Sequence, residues 1–146
     1  MSDHREADIR NGIIELINES HATACDKGWW ESVKGQPDRN FPEQLMLMVS
    51  ELSEVLEAYR EVGLTPSEFL FEVNSHGFRV GMRCGPDPDD IVKGPGKPEG
   101  IAAEFADVLI RIADTCGRYG IPLAKAVISK LAYNKTRPYR HGGKKA

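Results

Sequence analysis

Apolar residues recur at helical spacing in the first half of the chain and predict two long helices. The first covers residues 5–25, where the apolar positions repeat every three or four residues: Ile9, Ile13, Leu16 and Ile17. The second begins near Pro42, because proline fits the first turn of a helix, and ends at about Glu61. It is apolar almost all round between Leu45 and Val49, which is typical of a helix that is central or covered by another subunit.

The second half of the chain predicts two further helices. One spans roughly Glu99 to Tyr119, with Gly120 as its C-cap. The other begins at Pro122 and ends at about Lys135. Its apolar stripe comprises Leu123, Val127, Ile128 and Leu131. Since strand signals are nearly absent, the pattern predicts an all-α bundle of four or five helices.

Residues 62–97 follow no single pattern. A short helix is predicted from Thr65, with an apolar face at Phe69, Leu70 and Val73. Repeated glycines and prolines then interrupt any long element, and only residues 78–80 favour a brief strand. The stretch is interpreted as an insertion or loop, and three roles stay open: a lid, an oligomer contact or a variable surface insertion.

Composition narrows the class of protein. A chain of 146 residues has the size of one domain, so residues 1–146 are expected to fold as one, with a basic tail at about 138–146. The net charge of −3 argues against a nucleic-acid polymer as partner. No signal peptide or membrane-spanning run is apparent, and the three cysteines are far apart in the sequence. These features predict a cytoplasmic protein without a membrane partner.

Two pairs of carboxylates lie within otherwise apolar helical segments. Glu51 precedes Glu54, and Glu104 precedes Asp107, by three residues, so each pair shares one helix face. Burying such charges costs several kcal/mol per ion by rough estimate unless something pairs them. Two facing pairs would form an all-oxygen site for Mg²⁺, with Mn²⁺ as a substitute. The alternative is a solvated acidic face, with Arg111 neutralising Asp107 and Asp114.

A di-iron carboxylate site is the competing interpretation of these pairs. Such a site uses a histidine three residues after a glutamate. Among the four histidines, none has a glutamate at that spacing: His4, His21, His76 and His141. Iron is therefore disfavoured.

A resemblance to a known family appears when the motifs are taken in order. The pairs Glu51-x-x-Glu54 and Glu104-x-x-Asp107 are followed by Lys130-x-x-x-Asn134-x-x-Arg137-Pro138 and then by Arg140-His141-Gly142. Together with Trp29-Trp30, these motifs span most of the chain. The chain resembles the MazG-like branch of the all-α nucleoside triphosphate pyrophosphohydrolases.

The resemblance implies Mg²⁺-dependent hydrolysis of an NTP or dNTP to the monophosphate and pyrophosphate, in a homodimer or homotetramer. It assigns metal binding to the two carboxylate pairs: Glu51, Glu54, Glu104 and Asp107. It assigns phosphate binding to the basic set, which comprises Lys130, Asn134 and Arg137, and Lys130 also counts as catalytic. From the chemistry, Glu54 is the candidate base that orients the attacking water.

Other roles stay open. Trp29 and Trp30 are substrate-binding candidates that could stack on a nucleobase, or one could close the end of the bundle. The sequence departs from the family at Ser50, where many members carry an acid, and in the long gap between the pairs. These departures support an alternative function, a non-catalytic helical module that binds a nucleotide or another protein.

Overall fold

The protein is predominantly helical, as the hydrophobic pattern predicts. A computed structural model describes residues 3–32, 39–64, 71–73, 79–81 and 96–138. In this part of the chain the helices are α1 (Asp3–Asp26), α2 (Phe41–Val62), α3 (Ile101–Tyr119) and α4 (Leu123–Thr136). Three short strands accompany them: β1 (Phe71–Val73), β2 (Arg79–Gly81) and β3 (Lys97–Glu99). No helix among the described residues is both long and apolar enough to cross a membrane.

The chain divides into two compact units, and each is described by itself. The terminal unit comprises residues 1–38 and 113–146, and the central unit comprises residues 39–112. The prediction of one domain over residues 1–146 stays a prediction. Most of the predicted insertion at 62–97, and the basic tail beyond Pro138, lie outside the described residues.

In the terminal unit, small side chains let helices approach closely. The best buried apolar residues are Ala24, Ala113, Cys116, Ala124 and Ile128. Gly117 lies at a close approach between α1 and α3, because a Cβ added there would lie only 2.7 Å from the Cβ of His21. Gly120 ends α3 with φ +64°, and the Ile121 amide donates back to the Cys116 carbonyl. The predicted C-cap is therefore confirmed.

In the central unit, local signals fix both ends of α2. The Asn40 side chain accepts a hydrogen bond of 3.0 Å from the Glu43 amide, and Pro42 lies in the first turn. At the other end, the Gly63 amide donates to the Tyr59 carbonyl. The beginning predicted near Pro42 is confirmed, and the helix ends at Val62.

The strands correct two sequence predictions. Strands β1 to β3 form an antiparallel sheet in the order β2-β1-β3, with Phe71 opposite Glu99. Val73 therefore belongs to a strand and not to the short helix predicted from Thr65, whose residues 65–70 lie outside the described part. The third helix, predicted to begin at roughly Glu99, begins at Ile101. Glu99 ends β3, and Gly100, with φ +97°, separates this strand from α3.

Large apolar side chains remain exposed on both long helices of the central unit. On α2, Met46 is 64% exposed and Val49 is 50% exposed. On α3, Leu109 is 55% exposed and Phe105 is 49% exposed. Exposed apolar area of this kind is typical of a surface that another protein chain covers.

Replacing Gly117 by alanine tests the close approach of α1 and α3. We expect Gly117→Ala to lower the free energy of unfolding by about 1–3 kcal/mol, since the new Cβ forces the two backbones apart. Gly12→Ala is the matched control in α1, because a Cβ there meets nothing within 4 Å. We expect this control to gain about 0.5–1 kcal/mol from helix propensity. Equal effects in urea denaturation would contradict the close approach.

Candidate metal centre

The structure brings three of the four predicted metal ligands together. One carboxylate oxygen each from Glu51, Glu104 and Asp107 lies within 4.8 Å of the others. Glu51 is 6% exposed and Glu104 is 8% exposed, whereas Asp107 is exposed. We call these three residues the carboxylate cluster. Its members come from α2 and α3, so the two sequence motifs meet in space as predicted.

Arg111 neutralises one member of the cluster. Its Nε donates a hydrogen bond of 2.6 Å to Oε1 of Glu51, and its Nη2 lies 2.5 Å from the same oxygen. Because both contacts end on Oε1, the arginine leaves Oε2 for another ligand. Arg111 therefore has Glu51 as its hydrogen-bonding partner, although the helix spacing suggested Asp107 and Asp114.

The remaining negative charge shifts the protonation of the other two carboxylates. Burial raises the pKa of Glu104 above its ordinary 4.5, and the nearby charges of Glu54 and Asp107 raise it further. Burial and then the charge of Glu51 likewise raise the pKa of Asp107 above 3.8, while Arg111 partly opposes the shift. The cluster therefore holds more negative charge than its surroundings compensate, which is the electrostatic condition that favours a bound cation.

Glu54, the fourth predicted ligand, lies beside the cluster. It is exposed and lines an acidic hollow of about 200 Å³ together with Glu57, Glu61, Glu99 and Glu104. Its charge raises the pKa of Glu104, so the two carboxylates are electrostatically coupled. Glu54 is thus near the cluster without belonging to the three-oxygen group, a position that suits the predicted base better than a ligand.

Sequence reasoning missed the contribution of β3. Lys97 forms an ion pair of 2.7 Å with Glu99, and this contact raises the pKa of Lys97, as do the charges of Glu104 and Asp107. A cation and an anion from the strand thus border the carboxylate cluster. The alternation of Lys97 and Glu99 just before the second motif was the available signal, but their placement depends on the sheet.

The basic set lies in the terminal unit. Lys130, Asn134 and Arg137 are exposed, and the Lys130 ammonium lies 5.8 Å from the ring centroid of Tyr133. The Arg137 amide donates to the Asn134 carbonyl just past the end of α4. The spacing predicted that Lys130 and Asn134 share a helix face, and both belong to α4.

The two tryptophans differ in their surroundings. Trp30 donates from Nε1 to the Asp114 carboxylate at 2.8 Å, and its ring meets Tyr119 edge to face. The Arg118 guanidinium lies 5.1 Å from the Trp30 ring centroid. These contacts favour the packing role for Trp30. Trp29 is 47% exposed and stays a candidate for stacking.

The donor set fits Mg²⁺ or Mn²⁺ rather than a soft metal. All three oxygens are carboxylate oxygens, and no histidine or cysteine joins the group in the part of the chain that the structure describes. Ser50 is exposed on α2. No family model matches the chain, and comparison with curated proteins and with solved structures found no match. The site is therefore interpreted from its own chemistry.

Removing Arg111 tests the charge balance of the cluster. We expect Arg111→Met to destabilise the protein because it leaves the buried Glu51 carboxylate beside two others without a cation. The loss should approach about 3 kcal/mol, the lower end for broken buried pairs, since the arginine side chain is 33% exposed. Adding Glu51→Gln should recover part of that loss in urea denaturation. A double variant whose loss equals the sum of the single losses would contradict the coupling.

The raised pKa values predict how Mg²⁺ stabilises the protein at different pH. Glu104 and Asp107 keep their protons to higher pH in the folded protein than in the unfolded chain. Without metal, their contribution to stability therefore falls as pH rises through and above about pH 4. A bound cation removes this penalty. We therefore expect Mg²⁺ to raise the melting temperature by several degrees at about pH 8 and much less at about pH 5.

A charge-matched control accompanies the melting experiment. Glu104→Gln should abolish the response to Mg²⁺, whereas Glu19→Gln, on the exposed surface of α1, should retain it. An equal response in both variants would place the ion elsewhere.

Proposed function

We propose that the protein is a Mg²⁺-dependent nucleoside triphosphate pyrophosphohydrolase of the MazG-like kind. It hydrolyses an NTP or dNTP to the nucleoside monophosphate and pyrophosphate. The observation that supports this proposal is the carboxylate cluster, in which Glu51, Glu104 and Asp107 bring oxygens within 4.8 Å of one another from the two motifs of the sequence.

The charge of the cluster explains why a metal–phosphate ligand suits it. Three carboxylates face one arginine that contacts only Glu51, so a triphosphate alone would be repelled. Bound Mg²⁺ would supply positive charge to the phosphates and polarise a water molecule. Glu51, Glu104 and Asp107 would hold the ion, and Arg111 would keep Glu51 oriented.

Glu54 is assigned the role of general base. Its carboxylate is exposed and lies outside the three-oxygen group, so it is accessible to a water molecule. The acidic hollow that Glu54 lines also contains the side chains of Glu57, Glu61, Glu99 and Glu104. The proposal therefore separates metal binding from proton transfer within one acidic region.

The basic set supplies the groups that recognise phosphate. The Arg137 guanidinium offers two parallel donors to phosphate oxygens, and Lys130 with its neighbour Asn134 offers an ammonium and an amide. The motif Lys130-x-x-x-Asn134-x-x-Arg137 motivates this assignment. All three side chains are exposed and so accessible to a ligand.

The proposal also includes a homodimer or homotetramer that acts in the cytoplasm. The exposed apolar residues of α2 and α3, among them Met46, Val49 and Leu109, support association with a second copy. The three widely separated cysteines motivate the compartment.

Incubation with the four NTPs and four dNTPs in Mg²⁺ tests the reaction. We expect monophosphate and pyrophosphate in equal amounts from at least one substrate, separated by ion-exchange chromatography. Asp107→Asn should reduce kcat/KM at least about 100-fold because it removes a charged ligand. Glu19→Gln should leave kcat/KM unchanged.

In the same assay Arg137→Met should raise KM, while Lys135→Met, a charge-matched control on α4, should leave KM unchanged.

Three results would overturn the proposal. Release of diphosphate and phosphate would indicate a different reaction, and full activity in Asp107→Asn would exclude the cluster. Calorimetric binding of a nucleotide without any turnover would identify the protein as the non-catalytic binding module.

A further inference from the structure

A thiol, an imidazole and a carboxylate line up in the terminal unit. Cys25 and His21 are one turn apart on α1, and Sγ of Cys25 lies 3.7 Å from Nε2 of His21. On the other side of the ring, Nδ1 of His21 lies 2.7 Å from Oδ1 of Asp114 on α3. Cys25 is a free and exposed cysteine. We call these three residues the thiol triad.

Asp114 determines the tautomer of His21. The Asp114 side chain is 13% exposed and also accepts a hydrogen bond of 2.8 Å from Nε1 of Trp30. A carboxylate that receives two N–H donors acts as an acceptor, so the hydrogen of the neutral imidazole lies on Nδ1. The lone pair of Nε2 then faces the thiol of Cys25. This is the order of nucleophile, base and orienting acid that activates nucleophiles in enzymes.

The packing around His21 holds the ring in this orientation. Gly117 brings the backbone of α3 against the Cβ of His21. The centroids of the Trp30 and His21 rings lie 6.3 Å apart, and the rings meet edge to face. The Arg118 guanidinium lies over the indole ring of Trp30. The imidazole is thus fixed by contacts that do not involve Cys25.

Because of its position in α1, Cys25 needs the imidazole of His21 to accept the thiol proton. Cys25 is next to the last residue of α1, where the carbonyl end of the helix disfavours an anion. The adjacent Asp26 adds negative charge, which Lys27 offsets through a contact of 3.2 Å. Transfer of the thiol proton to Nε2 places the positive charge of the imidazolium beside the thiolate, which offsets this unfavourable position.

The geometry points to Cys25 as a reactive thiol that forms a mixed disulfide with a low-molecular-weight disulfide. His21 accepts the proton as Sγ attacks, one S–Sγ bond forms, and the S–S bond of the small disulfide breaks. The departing thiolate takes the proton from His21 and leaves as a thiol. The small disulfide is the oxidant, so the reaction needs no other electron acceptor. The exposure of Cys25 admits a small reagent directly.

The thiol triad differs from a metal site. In the described part of the chain, the group of side chains that could hold a metal ion consists only of carboxylates, and these belong to the central unit. The second described cysteine, Cys116, is buried, and burial raises its pKa. Cys116 therefore serves as an internal reference of low reactivity.

Alkylation of the Cys84→Ser variant measures the effect of the triad. This background removes a cysteine that lies outside the described residues. With iodoacetamide at pH 7, we expect Cys25 to react faster than Cys116 and faster than free glutathione, as followed by peptide mass spectrometry. His21→Gln should slow Cys25 at least tenfold, to below the rate of free glutathione. Asp114→Asn should slow the alkylation of Cys25 severalfold, because a neutral amide holds the Nδ1 tautomer of His21 less strongly than a carboxylate does.

A matched control lies on the same helix. His4 also pairs with an aspartate, Asp8, with 3.0 Å between Nδ1 and Oδ2, so His4→Gln removes an exposed histidine of the same helix that lies far from Cys25 in sequence. This variant should leave the rate at Cys25 unchanged. At about pH 10 the rates at Cys25 in all variants should converge, since most thiols are ionised there.

Oxidised glutathione then tests the mixed disulfide itself. We expect Cys25 to be glutathionylated at pH 7, reversibly with dithiothreitol, and much more slowly in His21→Gln. Equal rates in His21→Gln and in the background protein would overturn the proposal. If circular dichroism shows that His21→Gln is unfolded, the comparison of Cys25 with free glutathione in the background protein decides. A rate at Cys25 no higher than that of glutathione would also overturn it.

Discussion

Repulsion among buried carboxylates is the constraint that shapes this protein. At an effective dielectric constant of about 20, two unit charges 4 Å apart interact by about 4 kcal/mol. The oxygens of Glu51, Glu104 and Asp107 lie within 4.8 Å, and two of these residues are buried. Arg111 donates its hydrogen bonds to Glu51, and the charges of Arg111 and Lys97 oppose the raised pKa values of the other two carboxylates only in part. The negative charge that remains can be met by bound protons or by an added cation.

The side chains of one polar stripe on α3 have different partners. Glu104, Asp107, Arg111 and Asp114 follow each other at i, i+3, i+7 and i+10 along its sequence. Arg111 binds Glu51 on α2, whereas Asp114 accepts from His21 and Trp30. Glu104 and Asp107 keep the surplus charge. A stripe that looks uniform in sequence thus contributes to the carboxylate cluster at one end and contacts an imidazole at the other.

The sequence predicted the helices well because the information needed was local. The apolar period, Pro42 and Gly120 marked where α2 begins and α3 ends. The strand β2 overlaps the brief strand favoured at residues 78–80, whereas β1 and β3 were missed because they have three residues each and pair with each other across a long stretch of chain. A segment that short carries almost no periodicity.

The candidate site shows the same division between local and non-local information. The i, i+3 spacing identified Glu51, Glu104 and Asp107, because a helix places both members of a pair on one face, although Glu54 lies beside the three-oxygen group and not in it. The partner of Arg111 was not predictable, since Asp107 and Asp114 were available on its own helix. The thiol triad was likewise not predictable, because Asp114 lies 93 residues after His21 in the sequence.

The apolar surface of the central unit and the carboxylate cluster are physically linked. Asp107 and Ile110 are neighbours on the surface of α3, and Ile110 is 37% exposed. A second copy that covered Ile110 would also remove water from Asp107 and raise the free energy of its charged form. A cation bound in the cluster would offset this increase and would therefore favour association. By thermodynamic linkage, association would then strengthen cation binding by the same factor. The exposed apolar residues and the surplus charge are therefore best understood as one coupled feature of the proposed oligomer.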